Sequence, residues 1–219
     1  MLDLILKARA GVKHILCIGA HCDDIEIGCG GALLALQERA NIKIHWVVCS
    51  GTAERRIETT KAMEAMVRPR SRGRLVFGDF PDGRFPANYT ALKDFVESVK
   101  QAAPKPDLVL THERDDRHQD HRMLNELVWN TFRDHVVLEY EIPKWDGGLG
   151  QPNVYIPVSA RHAKAKVKAL LDAHRSQRRR DWFTADTFLS LLRLRGIECR
   201  SPSGYAEGFH GRKLRVAGF

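Results

Sequence analysis

His14-Ile15-Leu16-Cys17-Ile18 runs directly into Gly19-Ala20-His21-Cys22-Asp23-Asp24, and this junction decides how the chain is read. A short apolar run that ends in a polar loop and then a glycine-containing helix start is the repeating unit of a parallel sheet. Working outward, residues 28–40 read as an amphipathic helix, 42–48 as a second strand and 53–67 as a helix. A third strand at 74–78 leads into a loop at 80–88 rich in Gly and Pro, and a helix follows at 90–103. Pro104 ends that helix, residues 107–111 form the fourth strand, and a helix near 121–132 and a strand at 136–141 follow. The last third is less regular, with a strand at 153–157, helices at 160–174 and 184–195, and a final strand at 212–216. The pattern predicts an α/β fold: a single Rossmann-like domain over residues 1–219, with a mainly parallel sheet and helices on both faces.

A length of 219 residues suits one core, and 43% hydrophobic with 28% charged residues is ordinary for a soluble domain. No apolar run approaches a membrane span. Residues 1–12 lack a basic leader and a cleavage site, so no secretory signal is expected. Five cysteines without paired spacing point to reduced thiols, a cytoplasmic location and no thiolate zinc site. The net charge of +8 gathers at residues 68–72 and 175–180. It reads as a solvated basic face, or as a hold on an anionic substrate such as a nucleotide diphosphate.

In an open sheet of this kind ligands lie beyond the carboxyl ends of the strands. Two of the loops there are dense in metal-ligand residue types: residues 19–24 and His112-Glu113-Arg114-Asp115-Asp116-Arg117-His118-Gln119-Asp120-His121. Each alone reads equally well as helix capping or turn formation. Together they offer two histidines and an aspartate, with a position left for water, as in a catalytic zinc site. Nitrogen and oxygen donors without thiolate also suit Fe2+ or manganese.

Ala20-His21-Cys22-Asp23-Asp24-Ile25-Glu26-Ile27-Gly28-Cys29-Gly30-Gly31 resembles the first motif of the LmbE/PIG-L-like zinc-dependent N-deacetylases, usually written A-H-P-D-D before a glycine-rich helix start. Asp116-x-His118-x-Asp120-His121 resembles the second. Cys22 stands where that family usually has Pro, and Ile25 where Glu is common. The resemblance implies that His21, Asp24 and His121 bind zinc, and that Asp23 is the general base for the attacking water. It further implies that protonated His118 stabilises the oxyanion, with Asp120 holding that histidine in its charged form. Arg55 and Asp82 resemble substrate-contacting positions, the second suited to sugar hydroxyls. The implied substrate is an N-acylated, N-acetylglucosamine-type sugar. His112 ends the fourth strand beside the site and is a candidate substrate contact, while His174-x-Ser176-Gln177 looks family-like without an evident role.

Gly28-Cys29-Gly30-Gly31 does not make a dinucleotide loop, because Leu33 stands where the third glycine belongs and the preceding loop is acidic. Two rivals remain at this level. A metallo-β-lactamase-like hydrolase shares much of the second motif, and a nucleic-acid-binding module would use residues 175–180 with Trp182 and Phe183. The hydrolase reading predicts neither a nucleic-acid partner nor a membrane partner, and leaves a homo-oligomer open.

Overall fold

The computed structural model describes residues 12–39, 41–102 and 104–214. Five strands lie parallel: β1 (His14–His21), β2 (Lys43–Ser50), β3 (Arg72–Phe77), β4 (Leu108–His112) and β5 (Val136–Tyr140). Two more, β6 (Val154–Pro157) and β7 (Ala206–Gly211), extend the sheet antiparallel to give the order β3-β2-β1-β4-β5-β7-β6. β1, β2 and β4 are buried on both faces, so they read as continuous apolar runs. Helices α1 (Asp24–Arg39), α2 (Ala53–Met66), α5 (Ala160–Ala173) and α6 (Ala185–Glu198) cover one face with Ile15, Cys17 and Trp46. Helices α3 (Tyr89–Ala102) and α4 (Gln119–Thr131) cover the other with Leu16, Ile18 and Val47. Among the described residues no helix is long and apolar enough to cross a membrane.

The chain leaves β1 toward β2 and β3 on one side, then returns to β4 and β5 on the other. The direction of winding therefore reverses between β1 and β4, and the loops after these two strands meet at that point.

Two expectations are corrected. The helix predicted at 28–40 begins at Asp24, and residues 24–33 are buried all round rather than amphipathic. Its glycines explain this, since they admit neighbours from several sides. A Cβ on Gly28 would stand 2.2–2.9 Å from ring atoms of Tyr140, whose hydroxyl donates to the Ile18 carbonyl at 2.9 Å. Gly28→Ala is therefore expected to destabilise the fold by about 1–3 kcal/mol or more through overpacking, read as a lowered melting temperature. The second correction concerns the strand expected at 212–216. The last strand is β7, residues 212–214 are irregular, and 215–216 lie outside the described residues, as do 1–11, on which the leader reading rests.

β7 reaches across to α1. Glu207 accepts the Gly31 amide at 2.8 Å and the Ala32 amide at 2.6 Å, inside the helix. Lys166, from α5, pairs with Glu207 at 2.7 Å and donates to the Ile27 carbonyl. A buried ion pair thus enters α1 just behind its first turn.

Candidate active site

β1 ends at His21, and the turn into α1 bends through Asp23, whose φ of 107° is the left-handed region that few non-glycine residues adopt. This strained turn sends neighbouring carboxylates to opposite sides. Asp23 Oδ2 meets Arg55 Nη2 at 2.7 Å, and the same guanidinium donates to the Cys22 carbonyl. Asp24 Oδ2 instead folds back to accept the His21 amide at 2.6 Å. Across the switch point, His118 caps α4 by accepting the Asp120 amide at its Nδ1, 3.3 Å away, and His121 follows in the first turn.

Three donor atoms then converge. His21 Nδ1 lies 3.2 Å from His121 Nε2 and 3.4 Å from Asp24 Oδ2, and the last two are 3.5 Å apart. Ligand bonds of about 2.0–2.2 Å place the corners of a tetrahedral zinc site roughly 3.4 Å apart, so the spacing fits one metal ion. The remaining ring nitrogens are held by carboxylates. His21 Nε2 is 3.1 Å from Asp120 Oδ2 and 3.1 Å from Asp82 Oδ1, and His121 Nδ1 is 2.8 Å from Asp116 Oδ2. This is the carboxylate–histidine arrangement that orients a metal-ligating imidazole and fixes its tautomer. Burial, then the neighbouring His112, lowers the His121 pKa to about 3, which keeps the ring neutral. Burial resists ionisation of Asp24, but His121, His112 and His21 hold its carboxyl well below the usual range. Burial likewise works against a proton on His21, yet the carboxylates of Asp120, Asp24 and Asp82 raise its pKa well above the ordinary value. Surplus negative charge around that imidazole is what a divalent cation would neutralise.

The other predicted residues sit as follows. Asp23 is buried, and burial pushes its carboxyl up to about 6 against the pull of Arg55. Arg55 lies at the site with its Nη2 committed to Asp23 and its buried Nε without a partner among the described residues. Asp82 is exposed at the rim, and its bond to His21 lowers its carboxyl to about 2. Asp120 does not clasp the His118 ring as expected. Its carboxylate accepts the Gly83 and Phe85 amides at 2.7 and 3.0 Å and faces His21. His118 is not favoured in its charged form either, because burial and the positive neighbours His21 and Lys144 lower its pKa. His112 is fully buried. Its Nε2 accepts the Ala20 amide at 2.9 Å and its ring stacks on His121, so it ties the end of β1 to the start of α4. Cys22 is buried too, and burial raises its thiol to about 11, an unreactive value.

Sequence reasoning gave no role to Asp116, although it lies inside the second motif, and passed over Lys144 altogether. Lys144 Nζ stands 2.9 Å from His121 Nδ1 and 3.4 Å from Asp116 Oδ1. Nothing in the local sequence around Lys144 marks it. The His174-x-Ser176-Gln177 motif acquires a structural place: His174 pairs with Glu26 at 2.9 Å, both fully buried, and Ser176 binds Glu58 through its amide and hydroxyl. Since Asp116 orients His121, Asp116→Asn is expected to weaken zinc binding by about 10–100-fold, measured by competition with a chromogenic chelator.

The uncharacterized deacetylase YaiS of Escherichia coli (strain K12) is 29% identical over 184 residues, which span 78% of this chain and 96% of the relative. The N,N'-diacetylchitobiose deacetylase of Pyrococcus horikoshii matches with a TM-score of 0.72 at 20% identity, over 92% of this chain and 84% of its own. GalB, the 4-carboxy-2-hydroxymuconate hydratase of Pseudomonas putida KT2440, matches with a TM-score of 0.69 at 19% identity, over 95% and 99%. A deacetylase and a hydratase on one scaffold show that these two likenesses establish the fold alone. The parallel sheet also removes the metallo-β-lactamase alternative, which requires a β-sandwich. Residues 16–132, more than half the chain and the part containing both loops, match the family described as PIG-L, GlcNAc-PI de-N-acetylase, and the chain belongs to this PIG-L (LmbE-like) family.

Proposed function

We propose that this protein is a zinc-dependent N-deacetylase that hydrolyses the N-acetyl group of an N-acetylglucosamine-type sugar or glycosylated metabolite. The single observation that carries the reading is the set of three donor atoms 3.2–3.5 Å apart, two of them on carboxylate-buttressed imidazoles. Zinc held by His21, Asp24 and His121 would polarise a carbonyl and lower the pKa of a water toward neutrality; Fe2+ suits the same donors.

The remaining chemistry belongs to side chains. Asp23, not itself one of the three donors and raised to about 6, takes the proton of the attacking water and returns it to the leaving amine. Arg55 holds its carboxylate in line. His118 accepts the Asp120 amide at Nδ1, so in the neutral ring the proton sits on Nε2. That N–H is the donor for the carbonyl oxygen as charge develops on it, and a neutral imidazole at a helix N-terminus performs the task that the sequence assigned to an imidazolium. Asp82, at the rim, binds sugar hydroxyls. Water is the acyl acceptor and no organic cofactor takes part.

The proposal takes residues 1–219 as one domain in the cytoplasm, where its free thiols stay reduced. It is tested by screening zinc-loaded protein against N-acetyl sugars, sugar nucleotides and glycosylated metabolites, with acetate and free amine followed by mass spectrometry. Equimolar acetate and amine are expected. Acetate from none of them with zinc or iron, or acetyl transfer to an acceptor other than water, would sink the reading.

A further inference from the structure

One wall of the site is not used by the chemistry above. Lys144, against His121, is followed by Trp145, which is 61% exposed. The indole is held in place: its Nε1 donates to Asp181 at 2.7 Å, Trp182 packs edge-on at 6.2 Å, and the Arg180 guanidinium sits 5.2 Å over the ring. The loop that presents it is pinned at its far end, where Gly150 donates to Glu141 and accepts from Arg195. From Trp182 the wall continues through Phe183 to His174, which pairs with Glu26 three residues beyond Asp23. An exposed aromatic ring, fixed and one residue beyond the lysine that touches His121, is a stacking platform with little ordering cost left to meet.

The charge beside it is unbalanced. Arg178 is engaged by Asp172 and the Leu171 carbonyl, and Asp181 is engaged by the indole. Arg175, Arg179 and Arg180 are exposed and form no ion pair among the described residues. Asp146, also exposed, is the one other nearby carboxylate in the Trp145 loop. We propose that Trp145 and the Arg179–Arg180 pair form a subsite for an anionic group, phosphate or carboxylate, carried by the acetylated sugar. This inference rests on the deacetylase reading of the neighbouring site. The sugar's substituent extends over the Trp145 ring, and the guanidinium that covers the ring in the free protein turns to meet the anion. Charge at the rim of a site steers and selects more than it tightens, so the signature is a preference among substrates.

The test compares kcat/KM for N-acetylglucosamine, N-acetylglucosamine 1-phosphate and N-acetylmuramic acid, in the native chain and in Arg179→Gln/Arg180→Gln. The native protein is expected to prefer one or both anionic sugars, and the double variant to reduce that preference by about 3–30-fold, with the change in KM. Raising salt to 0.5 M should erode the preference in the native chain and alter it little in the variant. The phosphate and carboxylate arms tell which anion is taken. Binding is read separately, in Asp23→Asn, as quenching of tryptophan fluorescence by N-acetylglucosamine 1-phosphate that disappears in Trp145→Phe. Neutral and anionic sugars hydrolysed equally well would overturn the subsite and leave the deacetylase reading intact. Acetate released from no substrate would overturn the deacetylase reading, whereas arginine-dependent quenching would still uphold the anion subsite. Quenching by a dT20 oligonucleotide but not by the sugar phosphate would assign the basic wall to nucleic acid and overturn the proposal.

Discussion

Asparagine in place of Asp23 is expected to leave metal content and substrate binding in place and to lower turnover by about 10²–10⁴-fold, the share of a positioned general base. The substitution is nearly isosteric, and asparagine tolerates the left-handed backbone that the turn demands. Its amide oxygen still offers Arg55 an acceptor where Asp23 Oδ2 now stands 2.7 Å away. What disappears is a carboxylate able to hold a proton near neutrality. Metal analysis, melting temperature and single-turnover kinetics should be measured on one preparation. Near-normal turnover with full metal would remove Asp23 from the chemistry. A fall in stability alone would reduce it to a turn former.

Asp24→Ala is expected to fail in a different way, by losing most of its zinc on dialysis and all activity with it. Two imidazoles remain, which is fewer than the three protein ligands of a catalytic zinc site. The carboxylate also accepts the buried His21 amide at 2.6 Å, so its removal strands a donor at a cost of about 1–3 kcal/mol. Excess zinc should restore activity only in part. Stoichiometric zinc in the dialysed variant would mean that another donor, not Asp24, completes the site. The contrast matters more than either result, because the two residues are chain neighbours with identical side chains. A purely structural role would make their variants behave alike.

The parts of this molecule that were legible in sequence are those whose environment is symmetric. β1, β2 and β4 lie between two layers of helices, so their apolar runs identify them without ambiguity. β7 could not be read that way. Ala206-Glu207-Gly208-Phe209-His210-Gly211 carries its polar residues into the interior, where Lys166 waits for Glu207, and its glycines admit neighbours such as Pro152. Meanwhile Arg212 and the residues after it look more strand-like, yet Arg212 leaves the sheet to bridge Glu113 and Glu139. In the site, residue types marked two ligand-rich loops after strands that flank the switch point, and the family resemblance singled out His21, Asp24 and His121 within them. Orientation was beyond reach. Whether Asp120 faces His118 or His21 depends on the Gly83 and Phe85 amides, which come from a distant loop. The neutral tautomer of His118 depends on a helix cap that exists only once α4 has formed.

The ion pair that enters α1 also has a bearing on when the protein matures during synthesis. The Gly31 and Ala32 amides find their acceptor 176 and 175 residues further along the chain. While a ribosome is still producing the middle of the protein, β1 to β5 can emerge and pair, with both motifs already outside the exit tunnel. At that stage the inward face of the helix that carries Asp24 lacks the Glu207 carboxylate, and Lys166, which also binds the Ile27 carbonyl, lacks its buried counter-ion. Only when Glu207 emerges does that helix acquire its buried carboxylate partner. A truncated product that stops short of β7 would carry Asp24 on a helix without its Glu207 contacts, whereas His21 and His121 sit on β1 and α4.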